Sequence, residues 1–179
     1  MESTRGQLLI AGPTLIDPNF QRTVVLIVEH TDEGAFGLVL NRPSETTVGE
    51  AVDELDAFVA EEDTLFIGGP VRQSALIVLA EFEHAEQAAV VAFDDVGVLG
   101  DHGADAVPET RRGRAFAGHA GWGPGQLDAE LSHGDWILEP ARHEDAFSDE
   151  PMSLWASVLT RKGGSYALVA RMPADPSMN

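Results

Sequence analysis

Residues Leu8–Pro43 read LLIAGPTLIDPNFQRTVVLIVEHTDEGAFGLVLNRP, and they hold two solidly apolar runs joined by a short polar turn. The runs are Val24–Val28 and Phe36–Leu40. An unbroken series of valine, leucine and isoleucine in so short a span is typical of a strand that is buried on both faces. Thr31–Gly34 has the composition of a hairpin turn, with a glycine available for positive φ. The stretch therefore predicts a β-hairpin at the centre of the core.

Working outward from this hairpin, the sequence predicts more strands than helices. The expected strands are Gln7–Ala11, Arg22–His30, Ala35–Asn41, Leu65–Gly68, Ala75–Glu81, Ala88–Phe93, Arg114–Gly118, Asp135–Glu139 and Tyr166–Arg171. The expected helices are Val48–Val59 behind a Thr47/Glu50 capping box, a short helix from Pro124 that ends at Gly134, and Glu150–Lys162. Hairpins join the early strands and regular βαβ alternation is missing, so we expect an α+β fold with a mixed or antiparallel sheet.

Length and composition indicate one compact unit. The chain has 179 residues, 44% of them hydrophobic, and no cysteine. We expect a disordered N-terminus over residues 1–6, a single domain over 7–172 and an extended C-terminal tail over 173–179. The start of the chain lacks the pattern of a secretory signal, and no apolar run is long enough to span a bilayer. We therefore expect a soluble cytoplasmic protein.

The charge balance restricts the possible partners. Eleven basic residues stand against thirty acidic ones, which gives a formal net charge of −19. Nucleic-acid affinity depends on basic side chains that release counterions, so nucleic acid and anionic membranes are disfavoured as partners. Arg111, Arg112 and Arg114 form one short basic cluster, which we interpret as a solvated loop in preference to a nucleic-acid patch.

Three blocks of sequence resemble the YqgE/AlgH family of bacterial proteins. They are Leu8–Pro43, the turn Gly68–Val71, and GHAGWGPGQLDAEL (residues Gly118–Leu131) followed by Asp135-Trp136. The resemblance implies a bifurcated sheet, partly closed into a small barrel and surrounded by helices. It implies no established activity, and the AlgH name carries a link to transcriptional regulation of alginate production. His119 stands where the family commonly has an aromatic residue.

Two glycine-rich turns are candidate ligand sites. Gly118–Gly125 is expected to form a loop between a strand and a helix, where backbone N–H groups can hold an anion. The segment lacks the glycine spacing of a dinucleotide fingerprint and the lysine of a Walker loop, so a purely structural turn is the alternative. Gly68-Gly69-Pro70 allows the same two interpretations. The candidate ligand-binding residues are Gly68, Gly69, His119, Gly121, Trp122, Gly123 and Gln126.

A second set of polar residues flanks the central hairpin. These are Asp17, Arg22, Glu29, His30, Asn41 and Arg42. Hairpin pairing predicts that Arg22 lies near Asn41 and Arg42, with Glu29 and His30 at the opposite end. Glu29 and His30 have the chemistry of an acid–base pair, whereas a structural Asp17–Arg22 ion pair and a simple strand end are the alternatives.

No assembled catalytic set is visible in the sequence. The six histidines show no metal-ligand spacing and there is no nucleophile elbow, so we predict no metal, no cofactor and no catalytic residues. Three functions stay open: a non-catalytic regulatory protein that acts through a protein partner, an enzyme or small-molecule binder at the glycine turns, and a DNA-binding regulator. We rank them in that order, because charge opposes the third.

Overall fold

The structure is a computed structural model that describes residues 2–52 and 57–174. Within them the strands are β1 Gln7–Ala11, β2 Val24–Thr31, β3 Gly34–Val39, β4 Pro43–Thr47, β5 Thr64–Ile67, β6 Val71–Phe82, β7 Val90–Phe93, β8 Val96–Val98, β9 Thr110–Trp122 and β10 Trp136–Pro140. The helices are α1 Val48–Ala51, α2 Gln126–His133, α3 His143–Ala146, α4 Leu154–Lys162 and α5 Ser165–Val169. Short 3₁₀ turns lie at Ala85–Gln87 and Pro151–Ser153.

The strands form one branched sheet, which confirms the α+β class. The main path runs β10-β1-β2-β3-β9-β6-β8-β7, and β4 and β5 branch from it. The branch point is β9, because its end pairs with β3 through Ala35↔Trp122 while its middle pairs with β5 through Phe66↔Phe116. The β5–β9 pair is parallel and the other pairs are antiparallel. Within the described residues the sheet does not close into a barrel, since its end strands β10 and β7 do not pair with each other.

The central hairpin is buried on both faces, as its sequence predicts. Val24, Leu26 and Val28 join a core that also contains Trp155 and Leu159 of α4. The alternate residues of β2 and β3 join a separate core with Leu127 of α2, namely Val25, Ile27 and Val39. A helix therefore covers each face of this part of the sheet, so both sets of alternating side chains are apolar. The predicted turn is also present, with Thr31 paired to Gly34 across Asp32 and Glu33.

Helix ends follow their capping residues, although two helices differ from the prediction. The Thr47/Glu50 capping box is formed, but α1 ends at Ala51, and residues 53–56 of the predicted helix lie outside the described residues. Gly134 ends α2 in the left-handed conformation, with φ 79°. The predicted helix Glu150–Lys162 begins as a 3₁₀ turn and becomes α-helical only from Leu154.

Two predicted elements are wrong. The last predicted strand, Tyr166–Arg171, is a helix over most of its length, because α5 folds back on α4 after Gly163 and Gly164. The predicted loop Gly118–Gly125 is mainly strand, since β9 continues to Trp122. The segment Asp94–Arg112, in which the sequence predicts no strand or helix, also holds β8 and the start of β9.

The polar start of the chain, expected to be disordered over residues 1–6, lies against the sheet from Ser3 onward. Thr4 is 5% exposed and its backbone N–H donates to Nδ1 of His30 at 3.1 Å. The Arg5 Nε–H donates to the carbonyl of Val91 in β7 at 2.7 Å. These contacts join residues of the N-terminal segment to β2 and β7. The tail expected over 173–179 falls outside the described residues beyond Ala174.

Candidate functional site

The two glycine-rich turns pack against each other. The Gly68 N–H donates to the carbonyl of Ala117 at 2.9 Å, and a Cβ added at Gly69 would lie 2.1 Å from the carbonyl carbon of His119. Gly69 and Gly118 have φ values of 154° and 76°, which residues other than glycine rarely adopt. The glycines therefore allow the two backbones to approach closely.

Trp122, Gly123 and Gln126 form part of a hydrogen-bonded joint between β9 and α2. The indole N–H groups of Trp122 and Trp136 both donate to Oε2 of Glu130, at 2.8 and 2.9 Å. Gln126 donates to Oε1 of the same carboxylate at 3.2 Å and accepts from the Gly123 N–H at 3.0 Å. The sequence prediction missed Glu130, although its spacing of one helical turn from Gln126 is visible in the sequence. The joint holds α2 on the sheet.

His119 lies apart from that joint. Its ring is 4.9 Å from the ring of Phe36, between centroids, and it is half-buried on β9. Burial lowers the pKa of His119 below its ordinary value, and the positive charge of Arg72 lowers it further. Gly121 is exposed two residues further along the strand. Six of the seven candidate ligand-binding residues are thus divided between a backbone contact, an aromatic pair and a helix joint, and Gly121 belongs to none of these.

The predicted approach of Arg22 to Asn41 is confirmed. The Asn41 side chain accepts from the Val24 N–H and donates to the Arg22 carbonyl, each at 2.9 Å. Beside it, the Arg42 guanidinium donates to the carbonyls of Asn19 at 2.7 Å and Pro18 at 2.8 Å. Burial lowers the pKa of Arg42, and Asp17 partly offsets this effect. These polar groups satisfy backbone atoms of the loop before β2, so their role is structural.

The remaining members of the hairpin set do not converge. Arg22 places its guanidinium 4.4 Å from the ring centroid of Trp155, and no ion pair with Asp17 occurs among the described residues. Glu29 is exposed while its neighbour His30 is buried. His30 instead faces Asp128, with 3.8 Å between Nε2 and Oδ2. Because successive residues of a strand point to opposite faces, Glu29 and His30 do not act as a pair.

A cleft lies beside the arginines of β9. Arg111, Arg112 and Arg114 all lie in β9, so the loop expected for this cluster is wrong, although Arg114 also begins a predicted strand. The exposure of Arg111 and Arg112 agrees with the solvated character expected of them. Arg112 and Arg114 line one cleft, which we call the arginine cleft, whereas Arg111 pairs with Asp95 at 2.6 Å outside it. The cleft has a volume of about 420 Å³ and is lined by Pro43, Asp63, Thr64, Phe66, Arg112, Gly113, Arg114, Phe147, Ser148, Asp149 and Pro151.

Each arginine of the cleft rests on an aromatic ring. The guanidinium carbon of Arg114 is 4.5 Å from the centroid of Phe66, and that of Arg112 is 4.6 Å from the centroid of Phe147. Both rings are buried, so they fix the planes of the two cations. The alternation Arg112-Gly113-Arg114 places the two cations on one side of the strand, a signal that becomes visible only once the segment is recognised as a strand.

Arg114 is the less compensated of the two cations. Its Nη1 is enclosed and has no hydrogen-bond partner in residues 2–52 and 57–174, whereas Arg112 donates through Nε to Glu81 at 2.8 Å. Burial is the largest cause that lowers the pKa of Arg114 below its ordinary value; Asp149 and Asp63 raise it without restoring it. A partly buried cation that lines a cleft and has no ion-pair partner in the described part of the chain is suited to an acceptor group from a ligand.

Two further features concern the described part of the chain, a metal site and a membrane-spanning helix. No group of three or more His, Asp or Glu side chains lies close enough together there to hold a metal ion. Among the described helices, none has the length and apolar character needed to cross a bilayer.

The chain is similar to known proteins over most of its length. A family model described as AlgH-like matches residues 8–167. A UPF0301 protein of Thermobifida fusca is 42% identical over 99% of this chain and 96% of its own length. A UPF0301 protein of Streptomyces coelicolor is 40% identical over 100% of this chain and 97% of its own length.

Solved structures agree with this assignment. The crystal structure of a protein from Corynebacterium diphtheriae matches with a TM-score of 0.84 at 28% identity, over 95% of this chain and 93% of that one. The solution structure of the AlgH protein from Pseudomonas aeruginosa matches with a TM-score of 0.73 at 28% identity, over 96% of this chain and 95% of that one. The chain belongs to the AlgH-like family, also named UPF0301, a family of uncharacterised function.

Proposed function

We propose that this member of the AlgH-like family is a regulatory protein that acts by binding, in the arginine cleft, a small molecule that carries a carboxylate or phosphate group. The observation that carries the proposal is the Arg114 guanidinium, which lines the cleft, lies on the Phe66 ring and makes no ion pair within 4.0 Å in the described part of the chain. The proposal joins the first two classes that the sequence leaves open, regulation through a protein partner and small-molecule binding, and its site lies away from the glycine turns.

The energetics support a ligand at this position. A partly buried cation without an acceptor destabilises the free protein, and a carboxylate or phosphate group removes that penalty when it binds. The planar guanidinium presents paired donors that match such groups. A cleft of about 420 Å³ also falls in the size range of small-molecule sites.

We extend the proposal to the regulatory role itself. The ligand changes how the protein contacts a protein partner in the cytoplasm, and any effect on transcription passes through that partner without direct DNA contact. The net charge of −19 supports a protein over nucleic acid in this step. Affinity capture from native extract at moderate salt tests it: recovery of a stoichiometric partner that depends on the ligand is expected, and repeated recovery of the protein alone contradicts it.

A thermal-shift screen of the full chain tests ligand binding. The panel contains inorganic phosphate, acetate, citrate, common nucleotides and amino acids. A ligand at about one hundred times its Kd adds about 2.7 kcal/mol of stability, which raises the melting temperature measurably. Arg114→Met should lose this response, while Arg111→Gln, on the same strand outside the cleft, should keep it. A wild-type protein that responds to nothing in the panel contradicts the proposal, and so does an equal response from Arg114→Met.

A further inference from the structure

The arginine cleft also contains carboxylates. Asp63, which precedes β5, and Asp149, in the loop between α3 and the 3₁₀ turn at Pro151, line the same walls as Arg112 and Arg114. These four are the ionisable residues among the lining residues, so the formal charge of the lining is balanced. A balanced lining differs from the excess of positive charge that a binding site for a multiply charged anion requires.

The charges of opposite sign in the cleft do not neutralise one another by contact. Neither Asp63 nor Asp149 forms an ion pair with Arg114 within 4.0 Å among the described residues, although both act on it electrostatically. Arg112 is engaged by Glu81 at 2.8 Å. The cleft therefore presents one available cation, Arg114, and two carboxylates at a distance from it.

The two carboxylates are also largely unused by the protein. Asp63 accepts a hydrogen bond at Oδ2 from the Ala60 N–H at 2.9 Å, and no hydrogen bond in the described part of the chain involves its Oδ1. Both residues are exposed, so a ligand can reach them. A carboxylate in this state accepts readily from an ammonium group, since charged donors and acceptors make the stronger hydrogen bonds.

We propose that the ligand of the arginine cleft is a small zwitterion of the amino-acid class, with its carboxylate at Arg114 and its ammonium group facing Asp63 and Asp149. The inference rests on the proposed function and adds the chemical class of the ligand. A simple anion meets two carboxylates, and a simple cation meets Arg114, whereas a zwitterion is complementary to both. Pro43, Pro151 and the two phenylalanines supply apolar surface for a side chain.

Isothermal titration of the full chain with matched compounds tests the charge requirement. Leucine carries both groups, 4-methylpentanoate lacks the ammonium group, and isoamylamine lacks the carboxylate. If another standard amino acid binds better than leucine, its deaminated and decarboxylated forms are compared in the same way. The zwitterion should bind at least about tenfold more tightly than either partner compound, which corresponds to about 1.4 kcal/mol.

Two substitutions test the role of the Asp149 carboxylate in the cleft. Asp149→Asn should reduce the preference for the amino acid over its deaminated form by about threefold or more, without weakening the deaminated form. Glu150→Gln, one residue further along and outside the lining, is the matched control and should leave that preference unchanged.

The outcomes distinguish this inference from the proposed function. Binding of phosphate or a plain carboxylate, with no amino acid binding more tightly, overturns the zwitterion assignment and leaves the anion site in place. Binding of the amine alone, or of no compound in either panel, overturns both. An Asp149→Asn protein with the wild-type preference removes the assigned role of that carboxylate.

Discussion

Gly69 and His119 show how one missing side chain determines a backbone contact. The Gly68–Gly69 turn leads into β6 and lies flat against β9, where a Cβ at Gly69 would be 2.1 Å from the His119 carbonyl carbon. The atoms in the way are backbone, so they cannot move aside as a flexible side chain does. The contact also positions β3, because the Val39 N–H donates to the Gly68 carbonyl at 2.8 Å. The branch point of the sheet at β9 therefore depends on the absence of a side chain at Gly69.

Gly69→Ala should destabilise the protein by about 3 kcal/mol or more, since it adds both a steric clash and an unfavourable φ. Gly103→Ala is the control, because a Cβ there meets nothing within 4 Å, and it should change the free energy of unfolding by less than about 0.5 kcal/mol. Urea denaturation followed by circular dichroism measures both. Equal stability of Gly69→Ala and wild type would show that the two backbones lie further apart than described.

His119 predicts a specific pH dependence of stability. Burial and then Arg72 lower its pKa in the folded protein, so the unfolded chain takes up the proton more readily than the folded one. Its contribution to stability is therefore complete above the ordinary pKa of about 6.5 and decreases as the pH falls below it. His119→Tyr removes this term, so wild type should lose stability relative to the variant between about pH 7.5 and pH 5. Parallel pH dependence of the two melting temperatures would contradict the assignment.

The glycine motif also shows where sequence reasoning fails at this scale. Six of the eight residues in Gly118–Gly125 are glycine, proline or alanine, a composition typical of a loop. Gly118 instead lies within β9. It is a glycine because the neighbouring Gly68–Gly69 backbone leaves no room for a side chain. That requirement comes from a contact between segments about fifty residues apart in the chain. Composition predicts the small side chain correctly, whereas the reason for it lies in tertiary structure.

At the scale of elements, one carboxylate of α2 joins the helix to two strands of the sheet. Glu130 accepts from the indoles of Trp122 in β9 and Trp136 in β10, both of which are buried. Phe20 packs on the two indoles, at 6.3 and 5.7 Å between ring centroids. A helix with only one fully buried residue, Leu127, depends strongly on such a polar attachment.

Glu130→Ala should lower the free energy of unfolding by about 2–4 kcal/mol, because it leaves two buried indole N–H groups without an acceptor. Glu130→Gln keeps an acceptor without the charge and should cost about 1–2 kcal/mol. Exposed Glu62 provides the control, and Glu62→Ala should change stability by less than about 0.5 kcal/mol. Chemical denaturation monitored by circular dichroism avoids the change in indole fluorescence that the substitution itself causes. Equal costs for the two Glu130 variants would contradict the role of the charge.

The sequence predicts an element correctly where its apolar residues fit one periodicity. It fails where the same residues fit both a strand and a helix. The hairpin, α2 and α4 follow apolar patterns that fit a single structure. The segment Tyr166–Arg171 has strand-like composition, yet Tyr166, Val169 and Ala170 pack on the core at helical spacing. The flexible Gly163-Gly164 pair lets α5 return along α4, and this packing overrides strand propensity. The arginine cleft was missed for a related reason, since the same-side placement of Arg112 and Arg114 requires a strand that the sequence assigns to a loop.

At the scale of the whole molecule, the part of the sheet around β2 and β3 differs in its surroundings from the part around β5 and β9. Around β2 and β3 the sheet is covered on both faces by α2 and α4, and both cores there are apolar. The cleft forms around β5 and β9, where Phe66 and Phe147 meet the two arginines. The family resemblance predicted the branched architecture, which the sheet confirms, whereas the partners that the charge disfavours stay a prediction. Neither indicated a cleft, because it is built from segments that are distant in sequence.

The distribution of charge leads to a prediction about DNA. The three arginines nearest one another in sequence do not form a basic surface, since Arg111 contacts Asp95 at 2.6 Å, Arg112 contacts Glu81 at 2.8 Å, and Arg114 is partly buried. With a net charge of −19, few phosphates can be neutralised. Wild-type protein should therefore leave duplex DNA unshifted in a gel even at about 50 mM salt, where electrostatic binding is strong. A basic DNA-binding protein on the same gel is the positive control. A retarded band that disappears with added salt would require a local cationic surface, and it would move the regulatory role from a protein partner to nucleic acid.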